Sequence, residues 1–106
     1  MSEQERRTSA RVAVSIPARY RPEGVADARE RNGTIDNISR NGLLLVAGET
    51  FPEETRLRIA FDDKQGGRHE LVAAVVRSQA MGGFGVAFVH IPDATLEYVR
   101  AALGVE

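Results

Sequence analysis

The sequence predicts a mainly β fold, a small six-stranded antiparallel β-barrel with a short C-terminal α-helix. Apolar and polar residues alternate with a period of two in several short segments, as they do in strands with one buried face. Turn residues separate these segments at hairpin spacing. One helical pattern appears, close to the C-terminal end. Because exposed strand edges invite aggregation and closure removes them, we expect the six strands to form a closed or nearly closed barrel.

The first strand begins after residue 11, where apolar side chains alternate from Val12 to Tyr20. Pro17 lies within it and cannot donate a ladder hydrogen bond, which predicts an edge or a bulge at that point. In segment 55–61 the same alternation turns Leu57, Ile59 and Phe61 inward. Five further strands are predicted at 31–38, 43–46, 55–61, 69–77 and 84–89. Tight connections are predicted at 62–67 and 81–83, where Gly and other turn residues cluster.

The helix is predicted from Leu96, Val99 and Leu103, which recur at helical spacing. Pro92 suits its start and Gly104 its end. We expect it to pack on the sheet or to cover one end of the barrel. The domain is predicted to span residues 12–106. Residues 1–11 show no periodicity and are predicted to form a separate, flexible arm rich in Arg.

The composition is that of one globular domain without a strong overall charge. The chain has 106 residues, with 14 basic and 15 acidic side chains, for a net charge of −1. It therefore has no general attraction for polyanions. The absence of Cys excludes disulfides and thiolate metal sites. The polar N-terminus lacks the apolar stretch of a secretory signal, so we expect a cytoplasmic protein that does not insert into a membrane.

Two polar segments are more elaborate than structure alone requires. The first places Arg6, Arg7 and Arg11 directly before the first strand. The second, Asp-Asn-Ile-Ser-Arg-Asn-Gly at 36–42, lies between two apolar strands. Guanidinium groups bind phosphate or a base edge through two parallel bonds, and Asn and Ser add short donors and acceptors. Gly42 would allow the positive φ of a tight turn.

Together these segments resemble the PilZ domain, the bacterial receptor module for cyclic di-GMP. Arg7 and Arg11 match its R-x-x-x-R motif, and residues 37–42 match its D/N-x-S-x-x-G motif. The motifs occur in the expected order, one opening the barrel and the other between its second and third strands. The resemblance extends from about Arg6 to the C-terminal helix and includes the stretch 83–88.

The resemblance implies a binding site for cyclic di-GMP, which has two guanines and two phosphates. It implies that Arg7 and Arg11 bind phosphates or guanine edges, while Asn37 and Ser39 bind guanine from the barrel. An Arg directly before the first motif, here Arg6, is associated in this family with two stacked ligand molecules per chain. The remaining predicted site residues have lesser roles: Gly42 shapes the backbone, Asp36 supports the turn and Arg40 makes a secondary contact.

The predicted function is a receptor or adaptor that orders its arm on the ligand and signals through a protein partner. One alternative is a PilZ-like interaction module that does not bind nucleotide, although such relatives usually lack the motif arginines. A second is a nucleic-acid-binding barrel, which would need surface aromatics for stacking. We expect no catalysis and no metal or cofactor, because His69 and His90 lie far apart in sequence, at exposed or half-buried strand ends.

Overall fold

The computed structural model describes residues 11–78 and 82–104, which form six strands and one helix. The strand and helix predictions are confirmed to within one or two residues. The predicted arm falls on residues 1–10, which lie outside the described residues, and on Arg11. The elements are β1 (Val12–Pro22), β2 (Arg31–Ile38), β3 (Gly42–Val46), β4 (Arg56–Asp62), β5 (Arg68–Ser78), β6 (Phe84–His90) and α1 (Asp93–Leu103).

The six strands close into a barrel with the ring order β1-β2-β3-β6-β5-β4. Neighbouring strands pair antiparallel throughout the ring, which confirms the predicted fold. Alternate side chains of each strand point into the barrel, where Ile35, Leu45, Leu57, Ile59 and Phe84 are 0 % exposed. Burying a side chain of this size stabilises the fold by about 1.5–3 kcal/mol, so this interior is the main source of the barrel's stability.

Several strands shift register through β-bulges, and one bulge lies where Pro17 predicted an irregularity. In β1 the register shifts between Ala13 and Ile16, just before the proline. Pairing of β1 with β4 begins only at Ala18. Pro17 therefore lies at the point where β1 has a partner on one side alone, and its missing N–H removes no bond to β4.

The two ends of the barrel are closed by different elements. Helix α1 covers one end and buries Thr95 and Val99; it ends at Gly104, whose φ of 77° is left-handed. At the other end the ring of Phe51 packs edge-on against Tyr20 and Phe84. Among residues 11–78 and 82–104, no helix has the length and apolar character needed to span a bilayer.

Candidate functional site

A shallow pocket of about 210 Å³ lies on the outside of the barrel over β3 and β6. Because Leu43 and Leu45 point inward, Gly42 and Leu44 of β3 point outward, opposite Ala87 and Gly85 of β6. Because Gly42, Gly85 and Ala87 have little or no side chain, they leave a low floor on which a flat group can lie. The rim is formed by Arg11, Asn37, Ser39, Asn41, Val76 and Arg77.

A bulge in β2 directs Asn37 into this pocket. Pairing with β3 passes from Ile35 opposite Leu45 to Asn37 opposite Leu44, so Asp36 is an extra residue. Ile35 and Ile38 are both buried in the core; in a regular strand, residues three apart would face opposite sides. The extra residue turns Asn37 outward while Ile38 returns to the core, which is how bulges re-aim side chains.

A second bulge, in β5, directs Arg77 to the opposite rim. Pairing with β6 passes from Val75 opposite Val86 to Arg77 opposite Gly85. Val76 is the extra residue and is 51 % exposed. Arg77 was not predicted as a site residue. The apolar run from Leu71 to Val76 gives no sign of a register shift, and only the position of Arg77 directly after this run offered a weak signal.

Three polar side chains at the rim, those of Asn37, Arg11 and Arg77, are available for a ligand. The Oδ1 atom of Asn37 is buried and has no hydrogen-bond partner among the described residues, a state that costs about 1–3 kcal/mol in a protein interior. Arg11 and Arg77 are exposed and make no ion pair within 11–78 and 82–104. The pocket thus combines an unused acceptor with two guanidinium groups that no carboxylate of the described residues neutralises.

The loop between β2 and β3 is held by its own hydrogen bonds. Ser39 N donates to Gly42 O at 2.8 Å. The Ser39 hydroxyl donates to the same oxygen and accepts from Asn41 N, each at 3.3 Å. Ser39 lines the pocket but is only 8 % exposed, so its visible role is to fix the loop. A contact of Ser39 with ligand remains a prediction.

Gly42 is required for a different reason from the one predicted. The positive-φ glycines in the described chain are Gly24, Gly66, Gly82, Gly83 and Gly104, so the expectation of a positive φ at Gly42 is wrong. A Cβ at Gly42 would instead collide with the backbone carbonyl oxygen of Val86 on β6. Close approach of two backbones, and not turn geometry, therefore fixes a glycine here.

Two further predicted site residues, Asp36 and Arg40, are not brought into the pocket. Asp36 is exposed on the bulge of β2, and Arg40 is exposed in the loop; neither lines the pocket. The Asp36 carboxylate makes no hydrogen bond in the part of the chain that the structure describes, so its predicted support of the turn is not observed. Arg6 and Arg7 lie outside the described residues.

His69 does not lie at the surface as expected. It is 6 % exposed and bonded on both ring nitrogens, to Asp63 and to Thr95. The hydrogen bond from His69, followed by backbone bonds, holds the pKa of Asp63 below its ordinary value. His90 is exposed. No group of three or more potential metal-ligating side chains occurs within the described ranges.

The fold is shared with several solved structures. The first is the PilZ domain of CeSA from a cellulose-synthesizing bacterium, with a TM-score of 0.68, 17 % identity, and coverage of 91 % of this chain and 97 % of that one. The second is YcgR from Escherichia coli in complex with c-di-GMP, with a TM-score of 0.69, 16 % identity, and coverage of 93 % and 45 %. At these identities the likeness shows the fold.

The Bacillus subtilis inhibitor of motility MotI/DgrA is also similar, with a TM-score of 0.71, 16 % identity, and coverage of 92 % of this chain and 49 % of that one. The chain thus spans about half the length of MotI/DgrA and of full YcgR. A search of curated proteins gives no significant match. The family model of the PilZ domain matches residues 5–104. This chain therefore belongs to the PilZ domain family.

Proposed function

We propose that this domain is a receptor for cyclic di-GMP that binds the nucleotide in the pocket over β3 and β6. The observation that carries the proposal is the convergence of the unpaired Asn37 Oδ1 with the guanidinium groups of Arg11 and Arg77. Family membership and the YcgR complex with c-di-GMP support this choice of ligand.

The chemistry of the rim suits guanine and phosphate. Guanine offers N–H donors on one edge, which suit the Asn37 acceptor, and the O6 and N7 acceptors, which suit a bidentate Arg. The two phosphates of the ligand are each singly negative, and Arg forms its strongest hydrogen bonds with such oxygens. The flat floor of Gly42, Gly85 and Ala87 leaves room for a purine ring to lie against the barrel.

The pocket alone is too small to enclose this ligand. At about 210 Å³ it lies below the range of about 300–1,000 Å³ typical of sites that bury a drug-sized molecule. Other residues must therefore cover much of the ligand. We assign this role to residues 1–11, in which Arg6 and Arg7 lie shortly before Arg11 at the rim. On binding, these residues close over the nucleotide and take up a single conformation.

Calorimetric titration with cyclic di-GMP tests the receptor proposal. We expect heat of binding from the wild type and strongly weakened binding in Arg7→Ala and Arg11→Ala. Arg29→Ala is the matched control, because Arg29 is exposed and outside the pocket. Cyclic di-AMP, which lacks the guanine O6 and amino group, should bind much more weakly. A folded wild type that gives no heat with cyclic di-GMP would support the alternative, an interaction module that does not bind nucleotide.

The same titration measures stoichiometry. We propose that Arg6 supports a second, stacked ligand molecule, because a further guanidinium offsets added charge and can lie on a guanine face. We therefore expect two nucleotides per chain for the wild type and one for Arg6→Ala. One nucleotide per wild-type chain at saturation contradicts this part of the proposal and leaves the receptor function intact.

We further propose that the ligand and the closed N-terminal segment form a surface that a protein partner recognises. Ordering residues costs backbone entropy of about 1–2 kcal/mol each, so a multivalent, charged ligand is needed to hold the segment. Backbone NMR relaxation of residues 1–11 with and without cyclic di-GMP tests this step. Equal order parameters in the two states would rule out ligand-driven closure.

A further inference from the structure

A chain of three polar side chains joins the β4–β5 hairpin to helix α1, far in sequence from both motifs. His69 Nε2 lies 2.9 Å from Asp63 Oδ2, and His69 Nδ1 lies 2.8 Å from Thr95 Oγ1. Asp63 also accepts backbone bonds from Gln65 N and Gly67 N at 2.9 and 2.7 Å. One carboxylate thus fixes both the hairpin turn and the imidazole that contacts the helix.

The bonding capacities of these groups place one proton of the imidazole and, for the neutral ring, also the direction of the bond to Thr95. An ionised Asp63 carboxylate can only accept, so the hydrogen must be on Nε2 of His69. In the neutral imidazole Nδ1 is then an acceptor, and the Thr95 hydroxyl donates to it. The imidazole ring packs against two aromatic rings. It stacks on Phe61 and lies at a tilt to Tyr98, and the ring centroids are 5.0 Å apart in both pairs.

The same order of groups, carboxylate to imidazole to hydroxyl, activates nucleophiles in hydrolases. Here that role is excluded by burial, because Thr95 is 2 % exposed and His69 is 6 % exposed. With so little surface exposed, we assign these three side chains a role in the protein's own structure.

Helix α1 depends on such a connection. It has 11 residues, and isolated helices of this length are marginal in water. Only Thr95 and Val99 of the helix are buried. Pro92 at its N-cap position provides no side-chain cap, so the first turn lacks the usual local stabilisation. The bond from Thr95 to His69 ties this uncapped turn to the barrel.

We propose that Asp63, His69 and Thr95 form a latch that holds helix α1 on the barrel. The latch works through the Nε2–H tautomer of His69 and is distinct from the ligand pocket, with which it shares no residue. His69 and Thr95 are positioning residues. The titratable groups in contact with the imidazole are Asp63 on the hairpin and Tyr98 on the helix, and Lys64 lines a groove with both of them.

Hydrogen exchange and imidazole NMR of the full chain test the latch. In the wild type at neutral pH, nitrogen shifts should show a protonated Nε2 and an unprotonated, hydrogen-bonded Nδ1. In Thr95→Val the Nδ1 shift should move to that of an unbonded nitrogen. Amide exchange in α1 should become about tenfold faster, as expected for loss of one buried hydrogen bond, while exchange in β3 and β6 stays unchanged.

Thr95→Ser provides the matched control, since it keeps the hydroxyl and loses only a methyl group. We expect Thr95→Ser to retain the wild-type Nδ1 shift and most of the protection of α1. His69→Phe, which keeps a ring for stacking, should match Thr95→Val in helix exchange even if other variants fold poorly. A protonated Nδ1 in the wild type, or equal α1 exchange in Thr95→Val and Thr95→Ser, would overturn the proposal.

Discussion

Two outer walls of the barrel carry arginines in opposite surroundings. On the wall formed by β1 and β4, Arg19 lies 3.8 Å from Glu30 and 4.0 Å from Asp62. On the same wall Arg58 lies 3.8 Å from Glu23 and 3.7 Å from Glu70. Each of these guanidinium groups has a carboxylate on either side. We call this surface the ion-paired wall.

The pocket wall, over β3 and β6, has the opposite arrangement. Arg11 and Arg77 at its rim have no carboxylate partner among the described residues. A larger groove of about 550 Å³ lies beside the ion-paired wall, and there Glu23 and Glu70 share the lining with three arginines and both contact Arg58. The comparison teaches that arginine content and groove volume do not mark an anion site by themselves. The pocket wall differs from the ion-paired wall because its two arginines have no carboxylate partner among the described residues and lie beside an unused acceptor.

The largest expected effect on stability and binding comes from adding a side chain at Gly42, where β3 and β6 approach closely. In Gly42→Ala the new Cβ collides with the Val86 carbonyl oxygen, so β3 and β6 must separate. We expect the free energy of unfolding to fall by about 3 kcal/mol and cyclic di-GMP binding to be lost. Urea denaturation and calorimetry measure the two effects. Gly48→Ala is the control, because nothing lies within 4 Å of a Cβ there; equal stability of the two variants would contradict the prediction.

The contrast between the walls is tested directly by matched arginine substitutions. Arg77→Ala should weaken cyclic di-GMP binding by about 1–3 kcal/mol, roughly 5- to 150-fold, as expected for loss of one bidentate contact. Arg58→Ala should leave the affinity unchanged and lower stability by less than about 1 kcal/mol, because exposed ion pairs contribute little. Titration calorimetry of both variants provides the measurement. Similar losses of affinity in the two variants would remove the distinction between the walls.

Asn37 should show opposite effects on stability and on binding. Replacing it with Ala removes a buried acceptor that has no partner in the described chain. We therefore expect the ligand-free Asn37→Ala variant to be as stable as the wild type or more stable by up to about 1 kcal/mol. Its affinity for cyclic di-GMP should fall about tenfold. Thermal unfolding with and without ligand checks both, and a clear loss of ligand-free stability would show that the side chain has a structural role.

The smallest expected effect is on the pH dependence of stability, and it arises at Asp63, outside the pocket wall. Because the folded-state pKa of Asp63 is lowered chiefly by the bond from His69, its stabilising contribution is present above the ordinary Asp pKa. That contribution is lost as the pH falls through the lowered folded-state value. In Asp63→Asn the curve of stability against pH should be flatter below about pH 4. Denaturation midpoints measured across this range provide the test, and an unchanged slope would contradict the coupling.

The barrel was predictable because its signals are local. Alternation of apolar residues fixed the inward register of Leu57, Ile59 and Phe61, and glycine with turn residues marked the connections. The helix was equally clear from Leu96, Val99 and Leu103. In each of these cases burial on one face and the side-chain period agree, so a short window of sequence contains the information.

The site was predicted only in part because its geometry depends on register. The bulges at Asp36 and Val76 aim Asn37 and Arg77 at one pocket, and no local pattern marks either bulge. The role of Gly42 also depends on a strand more than forty residues away, since Val86 supplies the clashing oxygen. His69 and Thr95 are 26 residues apart, so their contact could not be inferred before the helix was placed on the barrel.

The floor of the pocket would make the proposed nucleotide binding easy to lose in evolution. A Cβ at Gly85 would meet only the end of the Val76 side chain, at 4.0 Å, in contrast to the backbone collision at Gly42. Gly85→Ala would therefore narrow the floor proposed for the purine at little cost to packing. If the domain is a receptor as proposed, a lineage could lose the nucleotide in one mutational step and keep an intact scaffold free to acquire another task.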